Sequence, residues 1–343
     1  MFKTKVPSVY LPVAVLAGSV MTILVSGFMA RNVHGVKATP VAPSSEKACE
    51  MRFMRIDGYD KIRPLLATEQ MCESKRYSAV KSGIARLVEE QRAAGVVSEV
   101  SVYLRDFRRS EWTAYNGDAL YQPGSLMKVP LLMTYLRMAE KDPRVMAKRL
   151  VLPMGAPLPF KTHFPPRTSI GRGKPYEVSQ LLEALIRRSD NGAMFVLLQD
   201  IEFDQLHRTY TDLGLPDFSS DVSTYQISAK NVSTVMKALY NSTYLSIEDS
   251  ELAISLLLGS EFDQGIKAGL PDGVQLAHKF GEERDASGFQ LHETALVYIG
   301  DEPYLLTIMT KGPDMKALPQ VLASISRYVH EEMVRLRTPA VPS

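Results

Sequence analysis

Three short strings in the chain hold residue types whose spacing could do chemistry. The first is Tyr121-Gln122-Pro123-Gly124-Ser125-Leu126-Met127-Lys128. Pro123 and Gly124 end an extended segment and let the chain turn closely. Ser125 then opens a helix, and Lys128, three residues on, shares its face. A serine hydroxyl is a poor nucleophile until a base takes its proton. A lysine can be that base once desolvation and neighbouring positive charge lower its pKa. The helix N-terminus would stabilise an anion forming beside Ser125. The plain alternative makes Ser125 a helix cap and Lys128 a surface lysine. Against it, Lys128 stands in an apolar run of Leu126, Met127, Val129, Pro130, Leu131 and Leu132, where a charge without a role is costly.

The second string is Arg188-Ser189-Asp190-Asn191-Gly192-Ala193. Alone it reads as a turn or N-cap between two helices. The third, Ala277-His278-Lys279-Phe280-Gly281, closes a strand before a charged turn. Each is weak by itself, but their order is informative. Ser-x-x-Lys, then Ser-Asp-Asn, then Lys-x-Gly on a strand resembles the ordered signature of class A β-lactamases and penicillin-binding serine hydrolases. The flanking text agrees in YQPGSLMKVPLLMTYL, YEVSQLLEALIRRSDNGA and VQLAHKFG, and the resemblance covers roughly residues 78–335.

The resemblance implies a role for each matched residue. Ser125 would be the acylated nucleophile and Lys128 its general base or proton relay. Ser189 would pass a proton toward the leaving nitrogen, and Asn191 would orient Lys128 and the substrate amide. Lys279 would supply positive charge near a substrate carboxylate. The oxyanion hole would use the backbone N–H groups of Ser125 and of Glu283, just past Gly281. Asp190 is expected to be a structural hydrogen-bonding residue. No cofactor is implied, and His163, His207, His278 and His292 show no metal-ligand spacing.

Two departures from the pattern matter. Phe280 stands where relatives carry Thr or Ser, which removes a hydroxyl that binds the substrate carboxylate; its ring is expected to narrow the cleft. Class A β-lactamases also carry a deacylating glutamate in a Glu-x-x-Leu-Asn setting. Here Leu213 to Ser228 reads LGLPDFSSDVSTYQIS, with Asp217 and Asp221 as its only carboxylates, and ordinary turn roles are expected of both. A D,D-peptidase-like acyl-transferring hydrolase of the cell envelope is therefore the leading expectation, acting on a peptidoglycan peptide or a β-lactam-like molecule. A β-lactamase, a serine hydrolase of another amide or ester, and a silent envelope binding or scaffold module are the alternatives. The silent module is disfavoured because Ser125, Lys128, Ser189, Asn191 and Lys279 are all kept.

The elements that must position these residues follow from periodicity. Ile84, Leu87 and Val88 mark a helix, and Val97 to Leu104 alternates as a strand. Leu126 to Ala139, Glu177 to Ile186, Ala193 to Leu198 and Ala229 to Tyr240 read as helices. Val274 to His278, Glu293 to Ile299 and Tyr304 to Met309 read as strands, and Val321 to Met333 as a closing helix. That order predicts an α+β fold: an antiparallel sheet built from both ends of the domain, flanked by helices, with an all-helical block inserted.

Upstream, Tyr10 to Ala30 carries no charge and is long enough to cross a bilayer. Lys3 and Lys5 precede it, which favours residues 1–9 inside, a single-pass anchor over residues 10–30, and the catalytic domain in the periplasm or exterior of a bacterial cell. A cleaved signal, cut after Gly27, is the alternative and would make the protein secreted. Residues 31–77 read as a linker and N-terminal extension. Cys49 and Cys72 either close a small loop in an oxidising compartment or stay free thiols. A net charge of +2 without a basic stripe argues against nucleic acid as a partner, and no oligomeric state is specified.

Overall fold

The computed structural model describes residues 49–158, 162–217 and 225–338. The chain opens with a hairpin of β1 (Met51–Arg55) and β2 (Leu65–Gln70), followed by α1 (Ser78–Ala93). Then come β3 (Glu99–Asp106), β4 (Glu111–Tyr115), β5 (Leu120–Tyr121) and α2 (Lys128–Ala139). The middle block holds β6 (Arg149–Val151), β7 (Pro175–Glu177), α3 (Val178–Arg187), α4 (Asn191–Asp200), α5 (Phe203–Asp212), β8 (Ile227–Ser228), α6 (Ala229–Tyr240) and α7 (Ile247–Leu258). The chain closes with β9 (Leu276–Asp285), β10 (Gly288–Ile299), β11 (Glu302–Gly312) and α8 (Leu318–Arg337).

Five strands form an antiparallel sheet in the order β4-β3-β11-β10-β9. Both ends of the domain thus meet in one sheet, as the element order predicts. The strand pleat sends alternate residues to opposite faces. Val100, Val102 and Leu104 of β3 join the core under α1 and α8, while Tyr103 joins the core of the helical block. Both faces of β3 are buried, because the helical block and the β1–β2 hairpin cover the side that holds Ser101 and Tyr103. Within α8, Val321, Ile325 and Val329 carry the apolar stripe into the sheet core.

Within the extension read from the sequence, the residues after 48 form a hairpin. β1 and β2 pair from Met51↔Gln70 to Arg55↔Leu65, and Trp112 Nε1 donates to Gln70 O at 2.7 Å. Cys49 and Cys72 are disulfide-bonded beside it, with Cα atoms 5.7 Å apart. Alternation in this hairpin is weak because β1 is almost wholly exposed.

The membrane expectation is corrected. No helix among the described residues is long and apolar enough to cross a membrane. The segment over residues 10–30, on which the transmembrane anchor, the membrane as partner and the single-pass location all rested, lies outside the described residues, as do most of the linker and Asp221. The anchor assignment is withdrawn.

Candidate active site

The approach to Ser125 is held from two sides. β5 pairs with β8, Leu120 opposite Ser228 and Tyr121 opposite Ile227. The next residue, Gln122, is gripped by two fully buried side chains of β10. Gln122 N–H donates to Gln290 Oε1 at 3.2 Å, and His292 Nε2 lies 3.0 Å from Gln122 O. Thr310 N–H donates to His292 Nδ1, so the ring proton sits on Nε2 and points at the Gln122 carbonyl. Burial drives the His292 imidazole down to about 3; it stays a neutral donor at ordinary pH.

Ser125 lies in a 3-10 turn, Gly124–Met127, and the α-helix proper begins at Lys128. This differs from the helix start at Ser125 that the sequence suggests. The reason is the close approach of β9. Gly124 has φ +52°, and a Cβ there would stand 2.4 Å from Glu282 O. A Cβ on Gly281 would stand 2.4 Å from Pro123 O and 2.9 Å from Leu126 N. Two glycines therefore let the third motif's strand lie directly on the serine turn.

Lys128 is fully buried. Its Nζ lies 2.6 Å from Ser189 O, 3.1 Å from Ser189 Oγ and 2.8 Å from Asn191 Oδ1. Ser189 takes a left-handed φ of +54°, uncommon for a residue with a side chain, and both its carbonyl and its hydroxyl meet Lys128. Lys279, also fully buried, completes the chain: its Nζ lies 2.9 Å from Ser189 Oγ and donates to Phe280 O at 2.7 Å. The Ser189 hydroxyl thus bridges two lysines. Burial brings Lys128 down to about 7, with Asp190 and Glu282 opposing. Burial and the neighbouring Lys128 push Lys279 well below the ordinary lysine range, with Glu293 and Glu282 opposing. No carboxylate is hydrogen-bonded to either ammonium among the described residues.

Asp190 is structural, as expected. It is buried, caps α4 through Ala193 N–H at 2.7 Å, and accepts Ile170 N–H at 3.1 Å. Asn191 follows as the first residue of α4. The second motif is therefore held by a helix cap on one side and Lys128 on the other.

Beyond Gly281, Glu282 and not Glu283 lies against the serine turn. The Glu282 backbone, nitrogen included, lies against Gly124, whereas Glu283 is the next residue out and pairs with Gln290. The Glu282 carboxylate accepts the N–H groups of His163, at 2.8 Å, and Phe164, at 3.3 Å, and lies 3.1 Å from His163 Nδ1. It ties the segment at His163 and Phe164, between β6 and β7, to β9. Phe280 is a core residue. Its ring stacks on Phe262 at 4.2 Å and meets Phe164 edge-on at 6.1 Å, and Lys279 Nζ lies 4.3 Å from its centroid. Asp217 is exposed and lies 2.9 Å from the His207 ring, an ordinary turn pairing.

The sequence reading missed Gln290, His292 and the role of Glu282. A signal was present: in FQLHETALVYI the polar residues Gln290, His292 and Thr294 fall at alternate positions, which puts them on one face of a strand. The resulting set is a serine turn, a bridged pair of buried lysines and a backbone amide beside the turn. These are the parts that amide acyl transfer needs.

Comparison with known proteins agrees with this geometry. No curated protein matches the chain. The solved structure of PBP-A is similar with a TM-score of 0.65 at 18% identity, over 77% of this chain and 99% of the other. A PBP-A variant solved as an acyl-enzyme complex with penicillin G is similar with a TM-score of 0.64 at 18% identity, over 77% and 100%. A β-lactamase from Sphaerobacter thermophilus is similar with a TM-score of 0.64 at 19% identity, over 76% and 99%. The family model described as the beta-lactamase enzyme family matches residues 79–333, most of the chain and all three motifs, and the chain belongs to that family.

Proposed function

We propose that the protein is a serine acyl-transferring hydrolase of D,D-peptidase type, which forms an acyl-enzyme on Ser125. The observation that carries the reading is the bridged pair, Lys128–Ser189–Lys279, buried beside the nucleophile turn. Two cations sharing one hydroxyl in a desolvated site disfavour each other, so the pair holds about one proton fewer than two free lysines near neutral pH. Burial disfavours the charge on both amines, and the Lys128 charge lowers Lys279 further. Lys128, lowered to about 7, is neutral in a large fraction of molecules near neutral pH and can serve as the base.

The steps then balance. Ser125 Oγ attacks the amide carbonyl while its proton passes to Lys128 Nζ. The oxyanion is met by the backbone N–H groups of Ser125 and Glu282. As the C–N bond breaks, the Ser189 hydroxyl gives its proton to the leaving nitrogen and is reprotonated from the lysines. The product is an ester on Ser125 and a free amine. Hydrolysis of that ester needs a base on its open face. Asp217 is engaged with His207, and the segment has no Glu-x-x-Leu-Asn string. A β-lactam ester on Ser125 is therefore expected to persist. Labelling with a fluorescent penicillin tests the reading: the full chain should label and Ser125→Ala should not. Equal labelling of both would remove Ser125 from the role.

A further inference from the structure

A second polar centre lies at the far end of α6 and belongs to none of the three motifs. There the fold forms a half-open cavity of about 300 Å³, whose charged and amide lining is Arg105, Arg108, Lys237, Asn241 and Glu302. Its apolar wall includes Leu66 and Phe107. α6 starts at the strand that pairs with the approach to Ser125 and ends at this cavity. Twelve helical residues, roughly 18 Å, separate the two.

Arg105 is the unusual member. It is 4% exposed, and its Nε and Nη1 have no hydrogen-bond partner. Its Nη2 makes one long bond to Thr68 O at 3.4 Å. The nearest carboxylate, Glu69, lies 3.7 Å from Nη1, beyond hydrogen-bond reach. Glu69 is already engaged: its Oε1 accepts Lys237 Nζ at 2.8 Å and the Tyr103 hydroxyl at 2.8 Å. Glu302 pairs with Arg108 at 2.8 Å on the half-exposed rim. Arg105 thus has only a long ion pair to a carboxylate that Lys237 and Tyr103 already share, and its guanidinium is incompletely paired. The negative end of α6 does not cancel its charge, because Asn241, Ser242 and Thr243 N–H groups occupy the carbonyls of Lys237, Leu239 and Ala238. Buried donors left unmade are costly. A planar guanidinium is suited to two parallel bonds from a carboxylate or phosphate.

We propose that this cavity binds a small organic anion, its acidic group on Arg105 and its apolar body against Phe107 and Leu66. Nε and Nη1 are covered by neighbouring atoms, so binding includes a turn of the guanidinium toward the cavity that Arg105 lines. The site does not depend on the acyl-enzyme reading of Ser125.

Calorimetric titration of the full chain with hexanoate, inorganic phosphate and hexanol, at constant ionic strength, tests it. Hexanoate should bind saturably at one site, and hexanol at least about tenfold more weakly, since it lacks the charge-assisted bonds. Phosphate binding beside hexanoate would identify a phosphate-tolerant site; hexanoate alone would identify a carboxylate site. Arg105→Lys should weaken hexanoate at least about tenfold, and Asn241→Phe, which fills the cavity, should abolish it. Arg108→Ala, on the exposed rim, keeps the test decisive if either buried variant fails to fold, and should weaken binding about threefold. No saturable hexanoate binding, hexanol binding as tight as hexanoate, or full affinity in the folded variants would overturn the proposal.

Discussion

Two regions of this protein bury lysine, and they do so in opposite ways. Beside the β1–β2 hairpin, Lys237 is 2% exposed and donates to the Glu69 carboxylate at 2.8 Å, with the Tyr103 ring 5.7 Å from its Nζ. Beside the serine turn, Lys128 and Lys279 are fully buried and hydrogen-bond only to hydroxyl, amide and carbonyl oxygens. A lysine paired with a carboxylate keeps its proton and serves the fold. A lysine denied a counter-ion holds its proton weakly and can take one from a nucleophile. Burial lowers both Lys128 and Lys237, but at Lys237 the adjacent Glu69 opposes it directly. Both lysines look alike in the sequence; the neighbours set the difference.

Substitution should separate the two regions cleanly. Lys128→Met is expected to cut the rate of penicillin acylation by about 10²–10⁴, the usual worth of a general base. Its denaturation midpoint should move little, because relief of the buried charge offsets the lost hydrogen bonds. Stopped-flow acylation and urea denaturation give both numbers. Lys237→Met should do the reverse. It leaves the Glu69 carboxylate without its main partner and should cost about 3 kcal/mol of stability, while the folded fraction acylates at the parent rate.

Proton linkage sharpens the contrast. The Lys128 pKa is about 7 in the folded protein against 10.5 in the open chain. Between those values the unfolded state binds the extra proton, so stability rises with pH above about 7, by up to about 1.4 kcal/mol per pH unit for one proton. Below about 7 both states are protonated and this contribution is flat. Lys128→Met should shrink the rise to the part that Lys279 contributes, and the acylation rate of the parent should climb through about pH 7 as Lys128 becomes neutral. A smaller effect is expected at the loop tether. Glu282→Gln keeps the backbone amide beside Ser125 but loses an acceptor for His163 and Phe164. It should cost about 1 kcal/mol by thermal denaturation and change acylation far less than Lys128→Met.

The legible and illegible parts of this molecule differ for physical reasons. The serine turn, the second motif and the strand lysine could be read because each is a local string, and the glycines at 124 and 281 mark where backbones must touch. That one sheet joins both ends of the domain followed from the strands found there. What escaped depends on tertiary packing. Glu282 was passed over in favour of Glu283 because the one-residue choice is set by the contact between Gly124 and the strand. α5 was missed because FDQLHRTYTD buries only Leu206, Thr209 and Tyr210. Phe280 was expected to crowd the cleft, but its aromatic partners Phe262 and Phe164 lie far from it in sequence and draw the ring into the core. The clamp on Gln122 joins residues 168 and 170 positions apart, a separation that no local pattern encodes.

The most direct test of the central claim is intact-mass spectrometry of the full chain after brief exposure to benzylpenicillin, run beside Ser125→Ala. The account predicts one covalent adduct per chain, mapped to the peptide holding Ser125, persisting for many minutes after free drug is removed, and absent from Ser125→Ala. An unmodified parent chain with no drug consumed, or an adduct formed equally on Ser125→Ala, would contradict it.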